Sequence, residues 1–181
     1  MLSHPAPPWR CGLVYGSHST ELAAMMDLEF RDTRITDVDA LFEVRANTRQ
    51  NQLSRAALAE LGITPESTSA ALISGATVGA VCTYRKRVVG FCSGAVETGE
   101  ILVLAVLPDY EGRRIGTRLL DYVVARLRKA GSPRLWLAAA ADPTVRAHGF
   151  YRALGWRATG ERAANGDEIL ELGIRASAPR S

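Results

Sequence analysis

Residues 104–120, LAVLPDYEGRRIGTRLL, place an apolar run, a glycine-bearing turn and the start of a helix in immediate succession. Such a junction points several backbone N–H groups at one spot and adds the positive end of a helix dipole, so it suits an anion such as phosphate. Gly112 and Gly116 permit tight backbone geometry, and Arg113, Arg114 and Arg118 put positive charge where a phosphate would lie. The competing reading is a plain strand-to-helix turn with solvated arginines, but a turn of this length needs neither two glycines nor three arginines. No Gly-Lys-Ser or Gly-Lys-Thr follows and GxGxxG is absent, so neither nucleotide hydrolysis nor hydride transfer has support.

The elements that must hold this loop follow from periodicity. Leu28 to Thr33 reads as a short strand, and a helix from Thr36 carries Asp37 and Asp39 in its first turn, with Val38, Leu41, Phe42 and Val44 at roughly helical spacing. A second helical piece over Ser54 to Leu61 stops at Gly62, and a third opens with Thr64 as N-cap and Pro65 at its first position. Val78 to Tyr84, Val88 to Val96 and Ile101 to Leu107 read as an antiparallel meander. The run ILVLAVL is apolar at every position, which predicts a central strand buried on both faces. After the loop, Ile115, Leu119, Leu120, Val123, Val124 and Leu127 form one helical stripe ending at Gly131 and Pro133. A strand at Arg134 to Ala139, a helix at about Pro143 to Leu154, and strands near Trp156 to Thr159 and Ile169 to Ile174 complete the order.

Ala105-Val106-Leu107-Pro108 followed by Glu111-Gly112-Arg113-Arg114-Ile115-Gly116 resembles the acyl-CoA-binding motif of the GNAT superfamily of N-acetyltransferases. In that family a strand ending in Val-x-Pro feeds a loop of pattern Gln/Arg-x-x-Gly-x-Gly/Ala, whose amides hold the CoA pyrophosphate. A second segment, Arg146-Ala147-His148-Gly149-Phe150-Tyr151-Arg152-Ala153-Leu154-Gly155-Trp156, is similar to the family's Ala-x-x-Phe-Tyr-x-x-x-Gly-Phe signature. The resemblance covers about residues 28–174 and implies an α/β fold of the α+β type: a mixed, mostly antiparallel sheet flanked by helices and splayed near Leu104 to Val106 to admit acetyl-CoA.

The same resemblance implies cofactor-binding roles for Leu104, Ala105, Val106, Glu111, Gly112, Arg113, Arg114, Ile115, Gly116, Thr117, Thr144 and Ala147. Glu111 stands where Gln or Arg is usual, and its carboxylate is expected to repel phosphate. Arg114 replaces the first consensus Gly and is expected to keep its amide available at negative φ. Thr144 stands where Asn often contacts the pantetheine arm. Tyr151 corresponds to the group that protonates the departing thiolate, and a phenol is a donor at neutral pH. Phe150, Leu154 and Trp156 are expected to pack in the core. An attacking amine must lose a proton, and family members with a similar Gly-Glu-Ile opening make Glu100 the first candidate to accept it, with Glu97 second; a solvated turn carboxylate is the competing reading of both. His148 reads as a surface histidine.

The 181 residues suit one acyltransferase domain at 27–175 with an N-terminal extension at 1–26 and a tail at 176–181. Cys11, Cys82 and Cys92 are an odd number without CxxC or Cys/His spacing, which fits neither a zinc site nor a disulfide framework and predicts a reduced, cytoplasmic setting with no metal. Lys plus Arg is 22 against 19 for Asp plus Glu, a net charge of +3 spread along the chain, so nucleic acid is not an expected partner. No run of ~18 apolar residues is present to span a bilayer. The expected function is transfer of an acetyl or other acyl group from acetyl-CoA to an amine of a small molecule or peptide, with a homodimer allowed. The rival from another class is a CoA-binding sensor or interaction module without turnover, motivated by Glu111 and Arg114.

Overall fold

In a computed structural model that describes residues 27–49 and 52–173, two small sheets meet at a single point. Strands β1 (Leu28–Asp32), β2 (Thr77–Tyr84), β3 (Arg87–Ala95) and β4 (Ile101–Val106) pair in that order, and β5 (Trp136–Ala139), β6 (Arg157–Arg162) and β7 (Glu168–Glu171) pair in the order β5-β7-β6. Every ladder is antiparallel, and one parallel bridge, Glu100 to Trp136, joins the sheets. The mixed, mostly antiparallel sheet with a split beside β4 is therefore present. The expected extension at 1–26 and tail at 176–181 lie outside the described residues, as does Cys11.

The bridge is clamped. The Trp136 amide donates to Gly99 O (3.2 Å), its indole Nε1 donates to Thr98 O (3.0 Å), and Ser132 Oγ donates to Val96 O (2.7 Å). Gly99 has φ +69°, and a Cβ there would lie 1.7 Å from Arg134 O, so only glycine allows this approach. Beyond the bridge β4 and β5 share no ladder, and a gap opens along the outer edge of β4.

That gap corrects the expectation for ILVLAVL. Strand β4 borders the split instead of lying inside a continuous sheet, and Leu102 is 48% exposed while Val103, Leu104 and Val106 are half-buried. The apolar excess that suggested two buried faces lines an opening.

Five helices flank the sheets among the described residues: α1 (Val38–Ala46), α2 (Arg55–Glu60), α3 (Pro65–Ser74), α4 (Ile115–Ala130) and α5 (Arg146–Ala153). The stripe Ile115, Leu119, Leu120, Val123, Val124 and Leu127 is buried as α4 packs on β2, β3 and β4, a burial of order 10 kcal/mol before opposing entropy. Helix α1 packs on β3 and β4. It starts later than expected, because Ile35–Asp37 forms a 3₁₀ turn in which Asp37 accepts the Arg34 amide (2.8 Å) and the Arg31 guanidinium fork (2.6 and 2.9 Å). Thr64 caps α3 as expected, accepting from the Ser67 amide with Pro65 at the first position. Cys82 and Cys92 are fully buried in the core, and burial pushes the Cys82 thiol up to about 11.

Candidate active site

The turn between β4 and α4 is built from two left-handed residues. Gly112 has φ +77°, and Arg114, the N-cap of α4, has φ +58° and ψ +14°. This corrects the expectation of a negative φ at Arg114: the turn needs the conformation glycine adopts freely, and the arginine adopts it at a cost of ~1–2 kcal/mol. Among the described residues, no backbone carbonyl outside the helix and no side chain accepts from the amides of Gly112, Arg113 and Arg114, and no side chain caps α4. A Cβ built on Gly112 would meet nothing within 4 Å, so the outer side of the loop is open. Unpaired amides, a helix N-terminus and exposed Arg113 and Arg114 together suit a phosphate. Arg118 does not join them, because its guanidinium stacks 3.8 Å from the Phe30 ring centroid on β1.

Glu111 is held by cations. Its Oε2 lies 2.6 Å from Arg146 Nη1 and 3.9 Å from Arg49 Nε. The expected repulsion of phosphate is therefore offset by two arginines, one at the first position of α5 and one just after α1. Neither partner was legible in the sequence, since Arg146 and Glu111 are 35 residues apart. Gly116 lies against α5: a Cβ there would sit 3.5 Å from Phe150 Cζ and 3.8 Å from Leu104 Cδ2, which joins the loop, the open strand and α5. Ile115 is buried beneath the loop, and Thr117 is half-buried one position on.

Helix α5 begins at Arg146, later than the expected Pro143, because Asp142 Oδ1 accepts from both the Thr144 amide (2.8 Å) and the Thr144 hydroxyl (2.7 Å). The Asp-Pro-Thr sequence carries that turn signal, and sequence reading missed it. The Thr144 hydroxyl is thus engaged with its own turn. Ala147 is half-buried in the first turn of α5. Tyr151 packs edge-on against Phe150 (centroids 5.1 Å) and Trp156 (6.2 Å), and Phe150, Leu154 and Trp156 all join the core as expected. Burial raises the Tyr151 phenol well above its ordinary value, the nearby Cys92 adds to this, and Arg45 opposes it, so the hydroxyl stays protonated. His148, expected at the surface, is half-buried on α5.

The two glutamates separate. Glu97 is exposed in the turn after β3, whereas Glu100 is half-buried at the bridge to Trp136, where desolvation raises its carboxyl. Glu100 and the 111–116 loop thus stand at opposite ends of β4, about 20 Å apart at ~3.3 Å per residue. Between them the edge of β4 is free. Leu107 donates to Val89 O on β3 (2.9 Å), so by alternation the Ala105 amide also faces β3 and the amides of Leu104 and Val106 face the gap. A separate open concavity of about 710 Å³, lined by Asp32, Ile35, Ile73 and Lys129 among others, lies at the far end of α4 from this loop.

A split sheet with an anion loop at one end of its free edge and a protonated phenol on the adjoining helix is the framework of a CoA-dependent acyltransferase. The chain belongs to the Acetyltransferase (GNAT) family, whose profile matches residues 22–156. No curated protein sequence matches it. Among solved structures it is similar to a PaiA N-acetyltransferase from Thermoplasma acidophilum in complex with coenzyme A, with 21% identity over 81% of this chain and 99% of that one and a TM-score of 0.67. It is also similar to the ribosomal-protein-S18-alanine N-acetyltransferase from Escherichia coli (21%, 85% and 98%, TM-score 0.62) and to an aminoglycoside 6′-acetyltransferase type Ii (19%, 84% and 99%, TM-score 0.60). The last two act on different kinds of acceptor, so the shared fold does not choose one. The family uses acetyl-CoA, and the chain is accordingly an acetyl-CoA-dependent acetyltransferase. No helix among the described residues is long and apolar enough to cross a membrane.

Proposed function

We propose that this chain moves the acetyl group of acetyl-CoA directly to an amine of a small molecule or peptide within a ternary complex. The observation that carries the reading is the free edge of β4 running from the unpaired amides of the 112–114 loop toward Glu100, with Tyr151 on the adjoining helix. Acetyl-CoA supplies an activated thioester. The amides of Gly112, Arg113 and Arg114 hold the pyrophosphate, with Ile115, Gly116 and Thr117 shaping the start of α4 and Thr144 and Ala147 flanking the pantetheine arm. The gap-facing amides of Leu104 and Val106, beside Ala105, hydrogen-bond the thioester carbonyl and stabilise the charge that develops on its oxygen.

Glu100 accepts the proton that the ammonium must lose, directly or through water, and its raised carboxyl value brings it closer to the range a general base needs. Exposed Glu97 is the second candidate. As the new C–N bond forms and the C–S bond breaks, Tyr151 gives its hydroxyl proton to the thiolate sulfur. Its buried setting keeps that proton in place until then. Acetyl-CoA offered with amines, polyamines, aminoglycosides, amino acids and peptide N-termini, with free thiol and acetylated product followed together, tests this. Amine-dependent thiol release matched by acetylated amine is expected. CoA binding without release for any amine would favour a sensor or interaction module.

A further inference from the structure

Helix α3 has an apolar stretch, Ala70 to Ile73, and yet none of its ten residues is fully buried. A helix this short depends on packing for its stability. Four of the five large apolar side chains exposed among the described residues are Ile35, Leu61, Ile63 and Ile73. They belong to α3, to the turn before it, or to the 3₁₀ turn packed against it. Leu61 is 67% exposed and Ile73 71%. A single exposed leucine means little, but several around one element mark a surface that meets another.

The two ends of α3 differ in shape and in charge. At its C-terminal end lies the open concavity of about 710 Å³, whose wall includes Ile35, Leu72 and Ile73 together with Arg34 and Lys129. The N-terminal end is about 15 Å away at ~1.5 Å per residue. There the α2–α3 turn, closed by the Ile63 amide donating to Leu58 O (2.9 Å), presents Leu61 and Ile63 with exposed Glu60 and Glu66 beside them. Arg34, Lys129, Glu60 and Glu66 have no ion-pair partner among the described residues, whereas Arg126 in the same concavity pairs with Asp32. Between the ends, the exposed positions Ser67, Ala70 and Ser74, at i, i+3 and i+7, carry small side chains that let a second helix come close.

An apolar projection with acids at one end of a helix, and an apolar hollow with cations at the other, complement each other after a half-turn. We infer that two copies of this chain associate through α3, antiparallel across a two-fold axis near Ala70, with Leu61 and Ile63 of each copy seated in the concavity of the other. Glu60 and Glu66 of one copy then meet Arg34 and Lys129 of the second, and the same contacts recur on the far side of the axis. Such an interface uses both ends of α3 in both copies, so it closes as a dimer and does not extend into a chain. The inference is independent of the acetyl-transfer reading.

Sedimentation equilibrium of the full-length protein over a dilution series, at low and high salt, tests this. A two-chain mass at micromolar concentration is expected, with dissociation favoured by salt. Ile73→Asp, at a position exposed in the single chain, should weaken association by at least about tenfold. Lys129→Glu and Glu60→Lys should each weaken it severalfold, and the two together should recover most of the loss, since the reversed charges meet again across the axis. Ala70→Cys should join two copies by a disulfide on mild oxidation, judged against the unaltered protein, because the two α3 helices cross there. A single-chain mass throughout the series overturns the assignment, whatever else covers the surface. So does a two-chain mass that Ile73→Asp leaves unchanged, a charge-reversed pair no tighter than its single variants, or a dimer in which Ala70→Cys gives no added cross-link.

Discussion

The carboxylate of Glu111 lies 2.6 Å from Nη1 of Arg146 and thereby ties the turn before α4 to the first residue of α5. One contact neutralises the acidic side chain beside the unpaired amides of the 112–114 loop and ties down the end of the helix that carries Tyr151. Arg146→Ala should weaken CoA binding about tenfold, because a cation is lost and a carboxylate is left facing the phosphates. Adding Glu111→Gln should restore most of the loss. Calorimetric titration of the two variants checks this, and equal affinities would show that the pair does not act on the loop.

Arg114 stores strain at a position with φ +58°. Arg114→Gly should raise stability by less than about 1 kcal/mol, the relief of left-handed strain being partly offset by the larger unfolded-state entropy of glycine. Arg114→Val should lower it by about 1–2 kcal/mol, since β-branched residues tolerate this conformation worst. Urea unfolding of the three proteins gives the ranking.

Much of this site was legible because local chemistry fixes it. Gly112, Gly116 and the stripe on α4 give a strand, a tight turn and an amphipathic helix from spacing alone, and Thr64-Pro65 announces the start of α3. The αL geometry of Arg114 was hidden because its side chain is atypical of the backbone it adopts. The pairing of Glu111 with Arg146 depends on how α5 docks, which local pattern does not encode. The strand β4 was misjudged because a run that lines a cleft is as apolar as one buried on both faces.

Gly99 holds the closed end of the split. Gly99→Ala drives a Cβ into Arg134 O at 1.7 Å and strains a φ of +69°, so it should cost about 2 kcal/mol or more. Chemical denaturation measures this, and a change under about 0.5 kcal/mol would mean that the clamp is easily rebuilt.

Glu100 sets an expected pH profile. Desolvation raises its carboxyl, and a base must be ionised, so kcat/KM should fall as pH drops through a value above the ordinary carboxylate of about 4.3. Glu100→Gln should lower the rate and erase that acidic limb. A limb that keeps its position in Glu100→Gln would pass the role to Glu97 or to water. The linkage also has a sign for stability: a carboxyl raised in the folded state favours folding at low pH, and that contribution is lost as pH rises through the folded value.

The most direct measurement is single-turnover acetyl transfer by Tyr151→Phe, which removes one hydroxyl and keeps the ring that packs against Phe150 and Trp156. With a good amine acceptor and saturating acetyl-CoA, the chemical step should slow by about 10² to 10⁴ while CoA affinity stays nearly unchanged, since the proton is needed chiefly as the thiolate forms. A rate close to that of the unaltered protein, in a folded Tyr151→Phe variant and with chemistry limiting, would contradict proton donation by Tyr151 and leave it a packing residue of the core.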